Sequence, residues 1–107
     1  MATKAKKKTV KPEVALVNEC LADLGSALKQ FGTYSFDDKG PHEVMDLDSL
    51  VGKFEDLDAK TAGAAILKLA TSKKYEGRGQ YLASSILCEM QEWDELFEET
   101  PEVGDYL

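Results

Sequence analysis

Beyond Pro12, apolar side chains recur at Val14, Val17, Leu21, Leu24, Leu28 and Phe31, at alternating intervals of three and four residues. An α-helix completes a turn in 3.6 residues, so this rhythm sets all six on one stripe and predicts an amphipathic helix starting near Pro12, a residue suited to a first helical turn. Leu16, Cys20 and Ala27 widen the stripe, so the helix is expected to face more than one neighbour. The seam is shorter than three heptads, which favours an intramolecular core helix over a coiled-coil dimer. Gly32 is a natural stop. Residues 32–41, "GTYSFDDKGP", then read as a loop whose Tyr34 and Phe36 either meet a partner or cover the end of the core.

Three further helices are predicted, two from apolar spacing and one from its capping residue and small-residue run. One begins near Pro41 and carries Val44, Leu47, Val51 and Phe54 on one face; the next begins near Asp58, a good capping residue, and runs through "AGAAILKLATSKK" to Lys73 and Lys74, near the negative end of its dipole. Its Ala62, Gly63, Ala64 and Ala65 permit close approach of another helix. The last starts near Arg78, aligns Leu82, Ile86, Met90, Trp93 and Phe97, and breaks before Glu92 into a short final helix ended by Pro101. The strings "AGAAIL" (62–67) and "LASSIL" (82–87) echo each other at an offset of 20 residues. No segment alternates as a strand does, so the expected class is all-α, with four to five helices in a compact bundle or a short helical-repeat array.

Charge divides the chain. Five of its 13 lysines and arginines lie in the first eleven residues, leaving eight against all 20 acidic side chains. Residues 1–12 therefore read as a lysine-rich arm without base-reading aromatics or arginine, and 13–107 as one acidic helical domain. Coulomb repulsion disfavours direct nucleic-acid or membrane binding by that folded body and favours a basic partner. Cys20 and Cys88 are too few and too far apart for a disulfide framework, and each falls in a helical apolar pattern where a thiol serves as a small hydrophobe. With no secretory leader or membrane-length apolar run, a reducing, cytoplasmic location is expected.

Catalytic signatures are missing from the pattern. His42 is the only histidine and has no companions in a recognisable nucleophilic motif, so it reads as a surface or helix-start residue. The glycines of "YEGRGQ" form neither a dinucleotide turn nor a Walker loop. In "DLDSLVGKFED" a calcium loop would need an oxygen ligand and a glycine where Leu50 and Val51 stand. No cofactor or metal is expected, and the chain is read as a non-enzyme.

The carboxy-terminal end is the most unusual stretch. From Glu89 onward the chain has Glu89, Glu92, Asp94, Glu95, Glu98, Glu99, Glu102 and Asp105 without a lysine, arginine or histidine. Mixed signs would confer solubility with less self-repulsion, whereas a patch of one sign steers an oppositely charged partner. These eight, with Trp93 and Tyr106, are the candidate partner-binding residues; Tyr81, Trp93 or Tyr106 would be the anchor if exposed inside the patch. A second acid surplus lies between Asp37 and Asp58.

The stretch Leu67–Glu99, with Tyr75, Gly77, Arg78 and Gly79 in a turn, then Leu82 and Ile86, then Trp93, Leu96 and Phe97 in an acidic-aromatic helix, resembles the HEAT-like helical-repeat immunity proteins of bacterial toxin systems, including contact-dependent growth inhibition. The resemblance implies a cytoplasmic bacterial protein, monomeric alone and heterodimeric with its partner, that neutralises one cognate toxin, often a nuclease, without catalysis of its own. The competing expectation is an acidic helical adaptor or regulatory subunit, including a nucleic-acid mimic that occupies a DNA-binding protein.

Overall fold

The computed structural model describes residues 11–91 and 94–106, and every regular element among them is helical. The expected lysine arm therefore lies, up to residue 10, outside the described residues. Helix α1 spans Pro12–Lys39 and is kinked at Gly32, whose φ of 84° and ψ of 158° belong to a region open to glycine but closed to side chains. Gly32 thus interrupts the helix as expected, but the expected loop does not form, because residues 33–39 resume helical geometry. The reason is tertiary. Phe36 is fully buried with the ring of Tyr81 edge-on at 5.5 Å, while Tyr34 stays 79% exposed. Burial of one phenylalanine, worth roughly 1.5–3 kcal/mol, outweighs the modest helix propensity of Thr-Tyr-Ser.

The single helix expected from Pro41 is two. Helix α2 covers Pro41–Val44, the chain straightens at Met45 (φ −132°, ψ 157°), and α3 runs from Leu47 to Glu55. Asp46 makes the second start possible by accepting a hydrogen bond from the Ser49 amide at 3.3 Å, which satisfies a donor that the first turn leaves open. Leu47, Val51 and Phe54 are buried as their spacing predicts. Helix α4 spans Ala59–Thr71 and is capped by Asp58, whose carboxylate accepts from the Thr61 amide at 3.3 Å. Hydrogen bonding from Thr61 holds the Asp58 carboxyl below its usual range. Lys73 and Lys74 fall beyond the end of α4, so Lys68 is the cation in its last turn.

A 3-10 turn at Lys74–Gly77 leads into α5, Arg78–Glu89. Tyr75, Glu76 and Gly77 take left-handed φ of 54°, 60° and 83° in succession, a conformation costing the two non-glycine residues about 1–2 kcal/mol each. Arg78 secures the turn. Its Nη1 donates to the Tyr75 carbonyl at 3.1 Å, while Nε and Nη2 donate to the two carboxylate oxygens of Asp37 at 3.0 and 2.8 Å. After α5 the chain extends at Met90, α6 covers Asp94–Glu99, and Pro101, besides ending α6, opens a last 3-10 turn, Pro101–Tyr106.

Helix α4 is the centre of the molecule, packed against α1, α5, α6 and the final turn. Its small residues explain this position, since Ala62, Gly63 and Ala65 are buried where neighbours come close. A Cβ on Gly63 would stand 2.2 Å from the Thr100 hydroxyl, so the glycine is the seat on which the carboxy-terminal segment rests. The echoing strings "AGAAIL" and "LASSIL" lie on α4 and its neighbour α5, where Ala62, Ala65, Ile66, Leu82, Ala83 and Ile86 are buried. Together with Leu24, Phe54 and Val103 they form one continuous core.

Candidate partner-binding face

The carboxy-terminal segment has two sides. Leu96, Thr100 and Val103 are buried, and Phe97 and Tyr106 pack partly against the core, so the inward positions recur at helical intervals. Asp94, Glu95, Glu98, Glu99, Glu102 and Asp105 fill the positions between, and all are exposed. Glu89, at the end of α5, is exposed as well. The apolar residues thus hold the segment down while seven carboxylates face outward. Glu92 and Trp93 lie outside the described residues.

Helix α6 covers only Asp94–Glu99, so the acidic residues occupy both of its ends. Asp94 and Glu95 occupy its first turn, where the helix dipole favours negative charge by roughly 0.3–1 kcal/mol each. Glu98 and Glu99 remain at the unfavourable end, and Asp94 with Glu98, like Glu95 with Glu99, stands at the four-residue spacing where like charges repel. Among the described residues the ion pairs are Lys53 with Glu19 and Arg78 with Asp37, both outside the segment.

Three of the candidates border separate hollows. Glu89 borders a shallow hollow with His42, Asp46 and Asp48, extending the acidic surface toward the start of α3. Glu95 borders a different cleft, which Glu55 of α3 also borders. Tyr106 is half-buried on a third side, beside Lys73, Glu76 and Gln80. Tyr81 is 42% exposed but belongs to the Phe36 contact. Among the described residues, then, no aromatic stands inside the acidic face as an anchor.

The cleft beside Glu95 joins Glu55 and Leu57, which periodicity does not single out, to Phe54 and Met90, which it does. It measures about 350 Å³, with Phe54, Leu57, Ala62, Met90 and Leu96 as its apolar lining. Glu55 is fixed at its edge by accepting a hydrogen bond from the Gln91 amide at 3.0 Å. The only sequence signal for Glu55 is its membership of the acid-rich stretch from Asp37 to Asp58.

Other chemically capable groups are placed apart. His42 is exposed on α2, and no group of three or more His, Cys, Asp or Glu side chains among the described residues is arranged to hold a metal ion. Cys20 is fully buried, and that burial, assisted by the Asp23 charge, pushes its thiol up to about 12. Cys88 is exposed, contrary to the expectation that both thiols serve the core. None of the described helices is long and apolar enough to cross a membrane. No protein-family model, curated protein or solved structure matches the chain.

Proposed function

We propose that this protein is a non-enzymatic inhibitor of the immunity type, which neutralises a basic protein such as a nuclease toxin by covering its cationic surface with the acidic carboxy-terminal face. The observation that carries the reading is the set of seven exposed carboxylates between Glu89 and Asp105 with no ion-pair partner among the described residues. Charge left unneutralised and facing outward is what steers a basic macromolecule into contact, and carboxylates at such a surface take the place of the phosphates of a nucleic acid.

Capture from the native organism tests the proposal. The wild-type chain is used as bait at low salt beside a variant carrying Glu98→Lys, Glu99→Lys and Glu102→Lys. The proposal expects a basic protein that is retained by wild type alone, eluted by salt, and loses its own activity on a nucleic-acid or other substrate when the complex is reformed. A partner that binds equally to both proteins contradicts the acidic face. One that binds the wild type but keeps its activity contradicts inhibition and supports the adaptor reading.

A further inference from the structure

The cleft lined by α3, α4, α6 and the residues just past α5 has two chemistries side by side. Leu57 and Ala59 are half-buried beside the nearly inaccessible Phe54, Ala62 and Leu96, so apolar surface reaches solvent within it, and Glu55 and Glu95 at its border are both exposed carboxylates. None of the described residues lining it is a lysine, arginine or histidine. The nearby Lys53 is engaged with Glu19.

We infer that this cleft receives one long cationic side chain of the basic partner, arginine in preference to lysine, an inference that rests on the function proposed above. An apolar side chain would cover the lining but desolvate two carboxylates without compensation. A compact cation would meet the carboxylates and leave the apolar lining wet, and an acidic group would be repelled. Arginine and lysine alone join an apolar stem to a positive head. Arginine adds a planar fork that binds a carboxylate through two parallel bonds, the geometry this protein already uses between Arg78 and Asp37 at 3.0 and 2.8 Å. The volume of about 350 Å³ is at the small end of ligand clefts, which span roughly 300–1,000 Å³, and matches a side chain with its immediate neighbours. Glu55 is already held in place by the Gln91 amide, so less ordering is required on binding. In place of an aromatic anchor of its own, the acidic face thus offers a receptor for the partner's anchor.

Chemical-shift titration of the full ¹⁵N-labelled chain with acetyl-Arg-Arg-Arg-amide tests the inference, with the citrulline and norleucine tripeptides as uncharged counterparts. Saturable shifts are expected at the amides of Leu57, Ala62 and Leu96, with both counterparts binding about tenfold more weakly, as loss of a charge-assisted bond implies. The isosteric pair Glu55→Gln and Glu95→Gln should weaken the arginine peptide about fivefold or more. Glu13→Gln with Asp23→Asn on α1, which removes the same charge away from the acidic face, should change it by less than about twofold. Equal weakening by both double variants, or a norleucine peptide that binds as tightly as the arginine one, overturns the cleft while leaving the acidic face standing. Absence of any shift along Glu89–Asp105 at millimolar peptide would overturn both.

Discussion

Two charged corners of this protein are built on opposite principles. At the first, Arg78 closes a bidentate pair with Asp37 and also holds the Tyr75 carbonyl, so a cation ties the kinked end of α1 to a left-handed turn and the start of α5. At the second, from Glu89 to Asp105, apolar residues secure the chain and the exposed carboxylates face away from it. The first corner uses its charges to hold the fold. The second leaves its charges exposed and outside the ion pairs found among the described residues.

This contrast predicts which substitutions unfold the protein. The largest loss is expected from Leu96→Ala, since Leu96 is 2% exposed and truncating a buried leucine costs about 2–5 kcal/mol. Urea denaturation followed by circular dichroism measures it, and a loss confined to surface-level values would show that the acidic segment is not seated on the core. Arg78→Ala should come next. It removes three hydrogen bonds and leaves two strained turn residues without their tether, so the denaturation midpoint falls, by less than for Leu96→Ala because Asp37 is half exposed.

Acid titration sharpens the same point. The Arg78 guanidinium, mainly by its hydrogen bonds, holds the Asp37 carboxyl below the ordinary value of 3.8. A carboxyl depressed in the folded state adds stability above its unfolded pKa, and that contribution disappears as the pH falls from about 4 through the folded value. Urea midpoints between about pH 6 and pH 2.5 should therefore fall less steeply in Arg78→Ala than in wild type at the acid end. Parallel curves would mean that the pair contributes nothing. The smallest effect is expected at the other corner. Glu99→Gln relieves one like-charge spacing, worth about 0.2–0.5 kcal/mol, so stability should hold or rise slightly, and a clear decrease would show that Glu99 has a structural role.

The two corners also differ in how far they could be read from residue order. Binary pattern alone predicts α1 and α5, because Val17, Leu21, Leu24, Leu82 and Ile86 stand at helical spacing and are buried, while α4 is marked by its Asp58 cap. The sign and outward placement of the terminal carboxylates were legible in the same way, as polar positions between Leu96, Thr100 and Val103. The Arg78–Asp37 corner was not, for its partners stand 41 residues apart and no local pattern pairs them. Asp46 did carry a readable capping signal, but the unbroken spacing of Val44, Leu47, Val51 and Phe54 concealed the gap between α2 and α3. The cleft was invisible for a related reason. Its walls come from the end of α3, the start of α4, the residues just past α5 and the middle of α6, and nothing in the residue order records their meeting.

On the proposed function, the terminal carboxylates serve association and are dispensable for folding. Stopped-flow association with the captured basic partner at two ionic strengths tests it most directly, comparing wild type with the Glu98→Lys, Glu99→Lys, Glu102→Lys variant. The variant's low-salt rate should fall by ~10 to 10³-fold and its salt dependence should flatten, with the circular dichroism spectrum unchanged. Equal rates and equal salt slopes for the two proteins would contradict it.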